Sequence, residues 1–165
     1  MPYRKTPWIL FVFALFLAAY YILHTSPTLP PLVASHFDAA GTPNAFMARN
    51  SYERFMLGMS VGFPMALVAF LTLAFSFARN IKVPHRDYWC SPQRSADTRA
   101  FLIGRAAWFG VLLSLMMCFV HRLELNANAS IPPHLAGTQA IAALLGFFLI
   151  TAGWIFGLMA AFRRP

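Results

Sequence analysis

Four long apolar runs, separated by short polar stretches, organise this chain. They extend from Pro7 to His24 (PWILFVFALFLAAYYILH), Phe55 to Ala78, Phe101 to His121 and Thr138 to Phe162. None alternates with the period of two that marks a strand. A helix rises ~1.5 Å per residue, so about 20 residues cross a hydrocarbon core ~30 Å thick. Each run predicts one transmembrane helix, the first being barely long enough. Lipid admits only helices or closed barrels, because it offers backbone groups no water to bond. Thr6-Pro7, Asn50 with Glu53, and Ser91-Pro92 match helix N-caps: an oxygen side chain followed by proline or by an acid three residues on. Ser91-Pro92 lies well before the third run, so that helix should begin in water and enter the membrane a few turns later. The predicted fold class is all-α and polytopic. Residues 1–165 form a single integral membrane domain, with four spans and a short ordered outer loop between the first two.

Composition agrees. Of the 165 residues, 59% are hydrophobic and 11% charged, with a mean hydropathy of +0.59. Soluble domains carry about 25% charged residues. The net charge of +8 raises the question of nucleic acid. The basic residues cluster between the oily runs and not along one face, so a nucleic-acid partner is excluded and a lipid bilayer implied. Arg4 and Lys5 precede the first run, while Arg79, Lys82, Arg86, Arg94 and Arg99 lie between the second and third. Arg163 and Arg164 lie near the C-terminus; the other two loops hold only Arg49, Arg54 and Arg122. By the positive-inside rule, both termini and the middle loop are cytoplasmic. Trp8, with Tyr20 and Tyr21 at the other end of the first run, suits an interfacial belt. A cleaved signal peptide is the competing reading, with LVAS as its site. The length of the apolar run and the intervening TSPTLPP favour a retained span. Cys90 and Cys118 fall roughly a bilayer apart, too far for a disulfide.

Few motifs carry chemistry. There is no Walker loop, GxSxG, HExxH or CxxC pair, and no carboxylate or nucleophile deep in a span, so the chain reads as non-enzymatic with no cofactor. Gly58 with Gly62, and Gly153 with Gly157, are small-residue pairs that suit close helix packing, first of all within the chain. Pro64 should kink the second span. Arg105, about a turn inside the third run, suits snorkelling. Asn128-Ala129-Ser130 fits a glycosylation sequon. Asp87, Tyr88 and Trp89 lie in a cytoplasmic loop that either anchors at the headgroups with Arg86 and Arg94 or docks a cytoplasmic protein.

The stretch HFDAAGTPNAF interrupts the oily pattern most sharply. Asp38 can accept backbone hydrogen bonds, Gly41 can take a positive φ, and Pro43 fixes the next corner. Phe37 and Phe46 can pin the loop to the membrane surface. That leaves His36 without a task. His24, His36, His121 and His134 all fall at the outer face, with Asp38 and Glu124; Cys118, His121 and Glu124 share an arc of one helix. Two roles are open for His36. One is a hydrogen bond to a carboxylate of the second outer loop, worth about 0.5–1.5 kcal/mol. The other is a metal held by His36, His121 and His134.

The segment from Leu29 to Phe55 resembles a bacterial membrane family, a domain of unknown function that also forms the N-terminal part of SdpI-type immunity proteins. The matching features are Leu29-Pro30, His36-Phe37-Asp38, Gly41 and Pro43-Asn44. Pro84, Asp87-Tyr88-Trp89, Pro92 and Arg94 match smaller members in order. No counterpart of the separate C-terminal SdpI module is found. The resemblance implies a bacterial cytoplasmic membrane protein that senses or confers immunity to an envelope-active peptide, with an extracytoplasmic peptide ligand and a cytoplasmic regulator as partners. His36, Phe37, Asp38, Gly41, Pro43, Asn44 and Phe46 would then be binding residues on the outer side, and Asp87, Tyr88 and Trp89 on the inner. The alternative is a small transporter or ion-binding subunit using the outer histidines.

Overall fold

A computed structural model describes residues 5–78 and 80–163. Arg4, Arg79, Arg164 and Pro165 lie outside the described residues. Among the described residues, four helices are long and apolar enough to cross a membrane: α1 (Thr6–Thr25, extended by a 3-10 turn at Ser26–Thr28), the continuous segment Arg49–Phe77, α5 (Ser95–Asn128) and α6 (Gly137–Ala160). The second consists of α2 (Arg49–Leu57), a π-helical turn (Gly58–Gly62) and α3 (Phe63–Phe77). A short helix, α4 (Arg86–Trp89), sits in the basic loop.

The expectation of an all-α chain needs one correction. The loop after α1 is an antiparallel hairpin of β1 (Leu32–Phe37) and β2 (Pro43–Ala48), paired from Leu32 opposite Ala48 to Phe37 opposite Pro43. Pro43 starts β2, a position where a strand tolerates proline. The hairpin also corrects the expected second helix start. α2 begins at Arg49, six residues before Phe55, and no Asn50 side-chain cap forms. The chain passes straight from strand to helix, and Arg49 N donates to Pro31 O at 3.0 Å as a last ladder bond. Ala48 holds the cap position, so Asn50 already lies inside the first helical turn and cannot cap it. Thr6 likewise makes no cap bond, and Lys5 occupies that position. Ser91 forms a turn, its carbonyl accepting from Arg94 N and Ser95 N, and α5 starts after it. α5 outruns its apolar core at both ends, since Ser95 precedes Phe101 and Asn128 follows His121.

α5 is the central helix, packed on α1 and α3. Gly110 permits this. A Cβ there would lie 2.5 Å from Val68 Cγ2 and 2.6 Å from Phe11 Cε2, so the three helices cross where only hydrogen fits. Phe11, Val68 and Ala107 form one buried cluster at this level; Ile22, Leu29, Val33, Tyr52 and Met56 form another beneath the hairpin. The glycine pairs singled out in the sequence do not serve this purpose. Gly58, Gly62 and Gly153 face open space, and Gly157 faces only the Arg105 guanidinium.

The predicted perturbation at Pro64 takes the form of the π-turn just before it. Proline has no N–H to return to the carbonyl four residues back, which is Ser60. Ser114 of α5 supplies the missing donor: its hydroxyl donates to Ser60 O at 2.7 Å in a fully buried contact. At the basic end, Arg99 does the same for the C-terminus of α3. Its Nη1 donates to Phe75 O (2.6 Å) and Ser76 O (3.1 Å), and its Nη2 to Ala78 O (2.9 Å). These are the orphan carbonyls every helix leaves at its end. α6 is attached most lightly and has no buried residue.

Candidate functional site at the hairpin end

The turn of the hairpin is built by the residues that interrupt the hydrophobic pattern. Asp38 Oδ1 accepts from Ala40 N and Thr42 N, each at 2.9 Å. Asp38 N donates to Thr42 O, and Gly41 N to Asp38 O. Gly41 has φ +83°, a conformation most side chains avoid. It has a second constraint. Its carbonyl accepts from Leu135 N at 3.0 Å, and a Cβ would lie 2.3 Å from Leu135 O and 2.9 Å from His134 Cε1. The two loops at this end therefore meet backbone to backbone at Gly41.

A second tie comes from Asn128, the last residue of α5. Its Oδ1 accepts from Ala34 N (2.8 Å), and its Nδ2 donates to Ala34 O (2.9 Å) and Glu124 O (2.9 Å). The amide pairs with the outward-facing groups of Ala34 as a third strand would. Ala34 is fully buried and sits beside the register shift in β1. In the fold, the amide of the Asn128-Ala129-Ser130 sequon is committed to the hairpin. Arg49 completes the frame, donating from Nη1 to Pro27 O and Leu29 O, both at 3.1 Å.

Beneath the hairpin lies a closed polar chain. Thr25 Oγ1 donates to Tyr21 O at 2.6 Å. With its only proton committed, that hydroxyl accepts from His121 Nε2 at 2.8 Å. Nε2 therefore carries the ring proton and Nδ1 is the acceptor, so the Tyr52 hydroxyl donates to Nδ1 at 2.9 Å. His121 is 0% exposed, stacked on the Tyr52 ring and edge-on to Tyr21. One turn further along α5, Glu124 has Oε2 buried without a partner.

The histidines do not converge. Among the described residues no three His, Cys, Asp or Glu side chains gather to hold a metal, so the proposed set of His36, His121 and His134 is corrected. His121 is sealed in the bundle with both nitrogens used. His36 is exposed, and its Nδ1 donates to its neighbour Ser35 O at 2.9 Å. The predicted His36–carboxylate bond is absent too. What ties the hairpin to the second loop is Gly41 and Asn128. Phe37 and Pro43 are half-buried, while Asn44 and Phe46 are exposed, Phe46 by 51%.

The second predicted group lies at the opposite end of the bundle. Asp87 is exposed. Tyr88 and Trp89 meet edge to face at 5.0 Å, and the Arg94 guanidinium lies 4.2 Å from the Tyr88 ring centre. Thr98 Oγ1 donates to Trp89 O (2.7 Å), and the Trp89 ring meets Phe162. No protein-family model matches the chain, and neither does any curated protein or solved structure.

Sequence reasoning missed Thr25, Tyr52 and the structural use of Asn128. Thr25 and Tyr52 are single polar residues at the ends of apolar runs, where they look like ordinary boundary residues. A signal was present for Asn128: it stands on the helix that also carries His121 and Glu124, at i+7 and i+4, and so shares their face.

Proposed function

We propose that this chain is a non-enzymatic, SdpI-like integral protein of a bacterial cytoplasmic membrane whose hairpin is the recognition platform for an envelope-active peptide. Four long apolar helices support the membrane placement. Orientation follows from charge. Lys5, Lys82, Arg86, Arg94, Arg99 and Arg163 belong to the end away from the hairpin, so that end, with both termini, faces the cytoplasm. The likeness of Leu29 to Phe55 to the SdpI-type N-terminal domain supplies the class of ligand.

One observation carries the recognition reading. The hairpin is fixed on its β1 side through Asn128 and at its turn through Gly41, yet it turns Leu32 (61% exposed) and Phe46 (51% exposed) away from the core. β1 has its outward groups at Ala34 occupied, and β2 forms the other edge of the two-stranded sheet. An edge strand flanked by apolar side chains suits an extended peptide added as a third strand, with backbone bonds giving affinity and alternate side chains giving specificity. The non-enzymatic reading is supported by His121, which faces no cleft and whose ring nitrogens are both bonded within the protein. The separated histidines give the transporter alternative no ligand set.

The test has two parts. Reporter fusions near Gly41 and near Arg94 should lie on opposite sides of the membrane; the same side for both overturns the placement. Deleting the gene should sensitise cells to a sibling-made or neighbouring envelope peptide, and Phe46→Ala should weaken rescue at unchanged protein level. Unchanged survival across a panel of such peptides overturns the recognition role.

A further inference from the structure

Within the apolar part of α5, Arg105 has no carboxylate counter-ion among the described residues. Arg105 stands six residues beyond Arg99, the residue that caps α3, which places it about 9 Å further along the helix axis. Its Nη2 donates to Trp154 O at 2.7 Å, and its guanidinium carbon lies 5.0 Å from the Trp154 ring centre. Gly157 lies beside it, where a Cβ would make ordinary van der Waals contact with Nη2 at 3.6 Å. The side chain thus crosses to α6. Only one of its five N–H donors is used in these contacts. Nε is buried without a partner, and no ion pair links Arg105 to a carboxylate among the described residues.

Two neighbours on α6 repeat the imbalance. Trp154 Nε1 and Thr151 Oγ1 are also buried without partners. They stand three residues apart, on one face of the helix. Arg105 Nε and Trp154 Nε1 therefore bring two unmatched donors to the α5–α6 seam, and Thr151 Oγ1 adds a third unmatched polar group about one turn further along α6. A charge in apolar surroundings is stable when paired. The Trp154 carbonyl accepts one bond but neutralises nothing. What fits is an anion with several acceptor oxygens. The seam leads straight into an apolar groove of about 330 Å³ between the same helices, starting at Ile150 beside Thr151 and lined further in by Leu112, Met116, Gly146 and Phe147. Anion chemistry and an oily groove in series describe a single amphipathic molecule.

We propose that the α5–α6 seam binds one phospholipid, with its phosphodiester against Arg105, Trp154 Nε1 and Thr151 Oγ1 and an acyl chain in the groove. The site rests on the membrane placement and is independent of peptide recognition. Arg105 supplies charge and a planar fork that matches two phosphate oxygens. Thr151 and Trp154 Nε1 add direction.

Native mass spectrometry of the full chain in maltoside micelles tests this with dioleoyl phosphatidylglycerol as the probe. One lipid should stay bound after detergent removal, and dioleoylglycerol, which has the chains without the phosphate, should not. Arg105→Met should lower lipid occupancy at least tenfold, with Arg105→Lys keeping part of it. Trp154→Phe keeps an aromatic ring and the backbone carbonyl but deletes the N–H donor, and should lower occupancy severalfold. Gly146→Leu should do so by filling the groove. Arg122→Met, at the other end of the bundle, should leave occupancy unchanged. Should Arg105→Met fail to fold, Trp154→Phe and Gly146→Leu still decide the matter. Equal occupancy in those two and the native chain overturns the site. Equal retention of dioleoylglycerol, or displacement of the lipid by millimolar inorganic phosphate, overturns the lipid assignment. Membrane placement is read separately by alkali-resistant pelleting, and a chain that stays soluble overturns that placement.

Discussion

Replacing Asn128 by Ala should release the hairpin while leaving the four helices packed. The side chain makes three hydrogen bonds, two of them to Ala34. Ala34 is 0% exposed, so its N–H and C=O lose their partner where water is scarce. Leaving a buried polar group unsatisfied costs about 1–3 kcal/mol. Two such groups give about 2–6 kcal/mol, with the lower end applying if water follows the opening. Each 1.4 kcal/mol is tenfold in an equilibrium, so even the lower end shifts the docked hairpin roughly thirtyfold toward the open form. Backbone amide exchange reads that shift directly, because a local opening exposes its own amides without global unfolding. In maltoside micelles, peptides covering residues 32–37 should exchange at least thirtyfold faster in Asn128→Ala than in the native chain. Peptides from α6 should not change. Asn128→Asp should resemble Asn128→Ala more than the native chain, since a carboxylate can accept from Ala34 N but has no proton for Ala34 O or Glu124 O. Unchanged protection at Ala34 in Asn128→Ala would refute the clamp and, with it, the claim that the hairpin is held from its β1 side.

Two further outcomes follow from buried polar pairs. Ser114→Ala should lower the unfolding free energy by about 1–3 kcal/mol, because the buried Ser60 carbonyl, already without a proline N–H, loses the Ser114 hydroxyl as donor. Combining it with Pro64→Ala, which restores that N–H, should recover much of the loss, and strictly additive effects in denaturant titration would exclude the coupling. Tyr52→Phe should cost a similar amount by stranding His121 Nδ1, and His121→Phe in the same background should add less than it does alone.

The helical frame was legible because its signal is local and repetitive. Each apolar run extends over enough residues that an error of two or three at an end does not alter the element. The ends themselves were less legible. Asn50 and Glu53 look like a capping pair, but Ala48 holds the cap position, at the end of a strand that the pattern did not announce. That strand was obscured because LVASHF and PNAFMA are short and mix buried with exposed positions irregularly, and the register shifts at His36 break any clean alternation. The turn chemistry was a different case. Asp38 and Gly41 announce a tight turn through their own side chain, or lack of one, and both act there through bonds spanning at most four residues.

The site was hard to read for the complementary reason. Ala34 and Asn128 are separated by 94 residues, Thr25 and His121 by 96, and Tyr52 and His121 by 69. Periodicity reports which face of its own helix a residue occupies, not which residue of another element it meets. His36 drew attention because it stands alone in a polar loop, whereas His121 sits at the edge of an oily run and looks like a boundary. Burial reverses their weight. An exposed imidazole can bond water in either orientation, but a fully buried one must satisfy both nitrogens from the protein, and His121 does so from α1 and α2 at once. Seven residues later on the same helix, Asn128 must satisfy its amide and does so from β1. The last two turns of α5 therefore fix α1, α2 and the hairpin relative to one another, through polar groups that apolar surroundings leave no freedom to pair elsewhere. A peptide bound at β2 would meet a surface whose position is set by those few bonds, and that makes Asn128, and not His36, the residue whose loss should most disturb recognition.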